Sequence, residues 1–288
     1  ADMRAMTERL FLLHDPVGIN RNVSPMDGMH GRAGEIVRVN GEVQPVLTGV
    51  PGSLERWRVV NASSSRPLAL SVPDVSMYLI ASDGGRLADA REMGGLVLVP
   101  GERAEVVVEV PSTPTQIPVG DDGTGEPLAT LAASGSPTSL GPDAVPGGLG
   151  DEVSVAAGSV VRKRALTFGA DMAMGSMMDG DGGLEFTIDG QTFDAQRTDI
   201  SVEAGTVEEW QIVNTTGMAH PFHLHAWPFA VLGDDAWPGW KDTVNVPGGG
   251  EVTIRIPFVG QTGRSVYHCH ILDHEDLGMM GVIDVQPN

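Results

Sequence analysis

The sequence predicts an all-β protein made of two β-sandwich domains in tandem. Three observations lead there. Short runs of Val, Ile, Leu and Thr recur between turn signals at roughly 8–12-residue intervals, the spacing of sandwich strands. Gly 38 and Pro 20 together make up about a fifth of the 288 residues, too many breakers for a helical bundle or coiled coil. The first half of the chain also repeats in the second, at a near-constant offset of about 150 residues.

The elements follow in order. Val37-Arg38-Val39 runs into Asn40-Gly41, a hairpin signal, and Phe186-Thr187-Ile188 runs into Asp189-Gly190, the same device. Glu55-Arg56-Trp57-Arg58-Val59-Val60-Asn61 resembles Glu208-Glu209-Trp210-Gln211-Ile212-Val213-Asn214. Val99-Pro100-Gly101 and Val246-Pro247-Gly248 each precede a strand with one buried face, at 105–110 and 251–256. Between the copies the chain is rich in Pro, Gly, Ser and Thr and reads as linker, with a strand expected at 128–133. The expected division is therefore 1–112, a linker at 113–160, and 161–288.

Composition narrows the function. Hydrophobic residues make up 41% of the chain, which argues against disorder. No stretch is apolar for long enough to span a membrane. A net charge of -20 repels phosphate backbones, so nucleic acid is excluded as a partner. Cys269 is the only cysteine, so no disulfide forms within the chain.

The chemistry concentrates in two short segments. Six of eight histidines fall in His220-Pro221-Phe222-His223-Leu224-His225 and in His268-Cys269-His270-Ile271-Leu272-Asp273-His274-Glu275-Asp276-Leu277-Gly278-Met279. Side chains two apart on a strand share a face, and those an odd number apart do not. His223 and His225 therefore face one way, as do His268 and His270. His220 and Cys269 face the other way, where His274 and Met279 can fold back to join them. Two imidazoles, a thiolate and a weak thioether are the donor set of a blue-copper electron-transfer site. Zinc prefers four strong ligands, which Met does not supply. The first copy carries no such set: Asn61 is followed by Arg66-Pro67-Leu68-Ala69-Leu70, where Asn214 is followed by His220-Pro221.

These two segments resemble the copper motifs of the multicopper oxidases, the laccase-like enzymes, and Gly239-Trp240-Lys241-Asp242-Thr243-Val244 resembles a further family segment. The resemblance covers nearly the whole chain, and implies two cupredoxin-like Greek-key sandwiches equivalent to domains two and three of a three-domain member. It implies copper as cofactor. His220, Cys269, His274 and Met279 would form the type 1 site, which takes electrons from substrate. Met280 and Met218 are nearby alternatives to Met279. His223 would be a type 2 ligand, and His225, His268 and His270 type 3 ligands. Glu275 would relay protons to bound oxygen. The implied partners are a small-molecule or metal-ion electron donor and dioxygen, and the implied location is periplasmic or secreted. Ala226 stands where many members have glycine.

The family's trinuclear cluster needs eight histidines, four of them from two His-x-His motifs in a first domain. Only His14 and His30 remain here, outside such motifs, and both read as exposed loop residues. A missing N-terminal cupredoxin domain is therefore expected, with little oxidase activity from this chain alone. Met172, Met174, Met177 and Met178 read as a flexible loop, although their thioethers would suit Cu(I). Trp227, Trp237 and Trp240 read as core. Two other functions compete: a copper nitrite reductase, in which a single His adjoins the Cys, and a plain cupredoxin-type electron carrier, which has no use for His223, His225, His268 and His270.

Overall fold

The structure, a computed structural model, describes residues 3, 6–18, 25–121, 123–138, 145–150, 159–172, 184–233, 237 and 239–288. Nearly all regular structure is strand, and the chain divides into two compact units. The first comprises Ala1–Gly18 and Ala33–Glu152, the second Ile19–Arg32 and Val153–Asn288. Among the described residues no helix is long and apolar enough to cross a membrane.

The first unit holds β1 (Thr7–His14), β2 (Arg38–Val39), β3 (Val46–Gly49), β4 (Leu54–Asn61), β5 (Leu68–Leu70), β6 (Met77–Ser82), β7 (Gly85–Met93), β8 (Leu96–Leu98), β9 (Arg103–Glu109), β10 (Thr115–Val119) and β11 (Ala129–Ala133). Its main sheet runs β2-β1-β4-β9-β6-β7, with smaller sheets β10-β11-β3 and β5-β8. The core closes on Phe11 and Trp57, whose rings lie 4.8 Å apart. The segment expected as linker from 113 to 160 contains β10 and β11. β11 is the strand expected at 128–133; β10 was not expected, and its order comes from antiparallel pairing with β11, which pairs in parallel with the distant β3.

The second unit holds α1 (Pro25–His30), β12 (Val160–Met172), β13 (Leu184–Ile188), β14 (Ile200–Glu203), β15 (Val207–Asn214), β16 (His220–Leu224), β17 (Ala230–Leu232), β18 (Thr243–Val246), β19 (Glu251–Pro257), β20 (Gly263–Cys269), α2 (Leu272–Asp276) and β21 (Met280–Gln286). Two five-stranded sheets, β13-β12-β15-β19-β17 and β14-β21-β20-β16-β18, face each other as a sandwich. Trp210, Phe168, Phe222, Phe258 and Tyr267 fill the space between them. Each such aromatic contributes about 1.5–3 kcal/mol by leaving water.

The repeat is visible in three dimensions. β4 pairs in parallel with β1 and antiparallel with β9, and β15 does the same with β12 and β19. In each copy the tryptophan indole N–H donates to a buried glutamate two residues earlier, Trp57 to Glu55 at 2.9 Å and Trp210 to Glu208 at 2.8 Å. An arginine on the parallel neighbour, Arg9 or Arg164, grips the same carboxylate through both Nε and Nη2. Asn61 and Asn214 pin equivalent corners, donating to the Leu98 and Val246 carbonyls.

Strand register refines the comparison of the copies. Leu68 faces Leu98, and His220 faces Val246. Leu68, not Arg66, therefore occupies the place of His220 in the first unit. Two further expectations change. His14 ends β1 opposite Arg38 and is half-buried, and His30 is exposed at the end of α1, so neither is a plain loop residue. The methionine cluster at 172–178 lies outside the described side chains. Trp227 is in the core, whereas Trp237 is half-buried with Lys241 Nζ 4.1 Å from its ring centroid.

Candidate metal centre

Strand pairing brings the two motifs together. β16 and β20 are antiparallel neighbours, with Phe222 opposite Cys269 and His223 opposite His268. Residues opposite each other share a face, so Cys269 points inward with Phe222 and, two residues away, His220. Cys269 Sγ lies 3.5 Å from His220 Nδ1 and 3.6 Å from His274 Nδ1, and the two nitrogens are 3.0 Å apart. All three residues are fully buried.

α2 delivers His274. It is a single turn following β20, and Gly278 (φ +109°) then reverses the chain into β21. The left-handed φ favours glycine there, and a Cβ would sit tightly, 3.0 Å from the Phe186 carbonyl oxygen. Met279 is fully buried, and its backbone is tied to both neighbours: its N–H donates to His274 O, and its carbonyl accepts from Cys269 N–H. Of the alternatives, Met218 is only partly buried and lines a cleft beside the site, and Met280 is half-buried.

The far nitrogens of the two inward rings are also committed. His220 Nε2 lies 2.7 Å from Thr216 Oγ1, and His274 Nε2–H donates to the Met29 carbonyl at 3.2 Å. With Nε2 protonated, each ring presents a bare Nδ1 to the thiol, which is the tautomer a ligand needs. The Phe186 ring stacks on His274 at 4.0 Å.

The other face carries a second cluster. One ligand atom each from His223, His225 and His268 lie within 4.8 Å of one another, and His225 Nε2 is 3.0 Å from His268 Nε2. His223 Nδ1–H donates to the Asp242 carbonyl, and His268 Nδ1–H to the Cys269 carbonyl, both at 2.9 Å, leaving both Nε2 atoms available. The His270 ring stands beside the trio, 5.5 Å from that of His223. Glu275 Oε2 is 3.2 Å from His268 Nδ1.

Two family models described as multicopper oxidase match the chain, one over residues 17–117 and the other over 168–288. The chain belongs to the multicopper oxidase family. It is 32% identical to a multicopper oxidase of Staphylococcus haemolyticus, over 92% of this chain and 55% of that protein. It is 28% identical to a laccase of Bacillus subtilis, over 88% and 54% respectively. A multicopper oxidase of Campylobacter jejuni, described as a metallo-oxidase, superposes with a TM-score of 0.83 at 27% identity, covering 99% of this chain and 65% of that structure. The chain thus spans little more than half the length of the curated relatives it matches.

Multicopper oxidases bind copper, and the donor set here fits it. His220, Cys269 and His274 offer two imidazole nitrogens and one sulfur in a dry pocket, the three-ligand core of a type 1 site. The sequence did not disclose the groups that orient these ligands: Thr216, the Met29 carbonyl, Phe186, the Asp242 carbonyl and Thr243. Ala226 is left-handed (φ +75°), a conformation that glycine adopts freely and that costs about 1 kcal/mol here.

Burial keeps these imidazoles neutral. It lowers His220 and His268 to about 3 and His274 to about 4, against an ordinary value of 6.5. The Cys269 thiol is pushed up by the same loss of water. As pH falls below about 6.5, the unfolded chain takes up protons that the folded metal-free protein refuses until about pH 4. Stability from these three residues is therefore complete above pH 6.5 and is lost through that window, each ring adding a slope of up to about 1.4 kcal/mol per pH unit. Urea unfolding of the metal-free chain should show a lower midpoint at pH 5 than at pH 7. Equal midpoints would mean that the rings are not buried as neutral species.

Proposed function

We propose that this chain supplies the electron-accepting part of a multicopper oxidase and half the ligands of its oxygen-reducing cluster. A donor would be oxidised one electron at a time at His220, Cys269, His274 and Met279. Four such electrons would reduce dioxygen to water where His223, His225, His268 and His270 converge. One observation carries the reading: Cys269 belongs to both places. Its Sγ stands between the two inward imidazoles, and its backbone neighbours are His268 and His270.

Copper, when bound, supplies a one-electron couple at the first site and oxygen reduction at the second. The chain's own residues do the rest. Cys269 links the sites through covalent bonds to His270 and through its carbonyl to His268 Nδ1–H at 2.9 Å. Thr216 and Met29 fix the ring orientation on the donor side. A cleft of about 440 Å³ has in its walls Met29 and Thr216, the residues that hold the two rings, together with His30, Phe186 and Met218, and suits a small phenol or a metal ion. Glu275 Oε2 is the acid placed to hold a proton beside the half cluster. Its remaining ligands would come from a further cupredoxin domain bearing two His-x-His motifs.

The electron-carrier alternative leaves the His223, His225 and His268 cluster without a use. Copper titration separates the two. The chain alone should take up one copper with intense copper–thiolate absorption and consume no oxygen. Adding a domain with two His-x-His motifs should raise copper uptake and switch on oxygen consumption with a phenolic donor. An assembly that fills with copper yet consumes no oxygen would defeat the oxidase reading.

A further inference from the structure

His220 and His274 are oriented by different means. His220 is held by Thr216, four residues away on the same turn. His274 is held by the carbonyl of Met29, 245 residues distant in sequence and carried on α1. The orientation of one ring is therefore local, whereas that of the other depends on a remote segment staying docked.

That segment ends in a clasp. Arg32 Nε donates to Asp273 Oδ1 at 2.8 Å, and Nη2 lies 2.7 Å from the same oxygen. The Arg32 backbone N–H donates to Asp273 Oδ2 at 2.6 Å. Both carboxylate oxygens are thus engaged by one residue. Asp273 is 4% exposed and immediately precedes His274 on α2. Gly31 (φ +73°) makes the reversal between α1 and Arg32 that side-chain-bearing residues disfavour.

We propose that Arg32 is a positioning residue for His274: by gripping Asp273 it seats α1 so that the Met29 carbonyl accepts the His274 Nε2 proton. The inference rests on the reading of His274 as a type 1 ligand. Its consequence is specific to one ring. With the clasp closed, Nε2 keeps its proton and Nδ1 faces Cys269 Sγ at 3.6 Å. With it open, His274 loses its acceptor while His220 keeps Thr216. Met29 and His30 also wall the cleft, so the same clasp sets the shape of the donor side.

The test needs no copper at first. In the metal-free wild-type chain, ¹⁵N-histidine NMR should show His274 as the Nε2–H tautomer, and the Arg32 amide should exchange about ten- to a hundredfold more slowly than an open amide. Arg32→Met should give His274 a mixed tautomer and leave His220 as the Nε2–H tautomer held by Thr216, its Nδ1 signal moving only with that of His274 3.0 Å away. Arg32→Lys, which keeps the charge but loses the fork, should fall between the two. In the copper-loaded protein, Arg32→Met should also shift the type 1 midpoint potential. A folded Arg32→Met variant with wild-type His274 signals would overturn the proposal. So would an unprotected Arg32 amide in the wild type, a measurement that stands even if the variant does not fold. Failure of wild-type chain to bind copper would count against the metal reading alone, because the NMR comparison is made without metal.

Discussion

Cys269→Ser is expected to erase the intense visible absorption of the copper-loaded chain. In the oxidase assembly proposed above, with a further domain bearing two His-x-His motifs, it should lower donor oxidation on the order of 10⁴-fold, the scale of losing one member of a set that works as a unit. The physical reason is double. Sulfur is the soft donor that tunes the site to copper, and a serine hydroxyl stays protonated and binds weakly in its place. The same residue is also the covalent bridge to His268 and His270, yet replacing sulfur by oxygen leaves that backbone intact. The variant therefore separates colour and electron entry from the geometry of the second cluster. Folding should survive, since the change is nearly isosteric at a fully buried position and the hydroxyl faces the two bare Nδ1 atoms of His220 and His274. Absorption spectra, copper per chain and an oxygen electrode measure the three effects. A serine variant that keeps the band would remove Cys269 from the site.

Much of this was legible in the sequence because strands have a period of two. That rule alone sorts His220 and Cys269 from His223, His225, His268 and His270, and the register of β16 against β20 agrees with it. The sandwich repeat was legible for a similar reason: the Trp57 and Trp210 strands keep their inward residues through the duplication. What stayed hidden is long-range or anonymous. A backbone carbonyl such as that of Met29 has no sequence signature, and Arg32 reaches Asp273 across 241 residues. β11 is the strand expected at 128–133, whereas β10 stayed hidden in the linker because its order comes from pairing with β11, itself paired with β3, rather than from its own composition. Leu68 was missed as the counterpart of His220 because the turns after β4 and β15 differ in length.

Glu208→Gln should destabilise the second unit by about 3 kcal/mol, toward the lower end of what breaking a buried ion pair costs. Glu208 is 3% exposed and accepts three bonds: Arg164 Nε at 2.5 Å, Arg164 Nη2 at 2.9 Å and Trp210 Nε1 at 2.8 Å. An amide offers one oxygen where the carboxylate offers two, so an NH₂ group must face either Arg164 Nη2 alone or Arg164 Nε and the indole N–H together. Either arrangement leaves a buried donor without an acceptor and Arg164 without its counter-charge. Arg164 retains 18% side-chain exposure, and water reaching it limits the loss. The same logic applies to Glu55, Arg9 and Trp57, so Glu55→Gln should lower the first unit's transition by a similar amount. Removing both charges is the sharper comparison. Arg164→Met with Glu208→Gln deletes the stranded cation, leaves the amide oxygen for Trp210, and should recover much of the single variant's loss. Urea melts followed by tryptophan fluorescence would measure the wild type, Glu55→Gln, Glu208→Gln, Arg164→Met and the double variant. If the double variant were as unstable as the sum of its parts, the pair would be acting through packing, and the electrostatic account of this repeated corner would have to be given up.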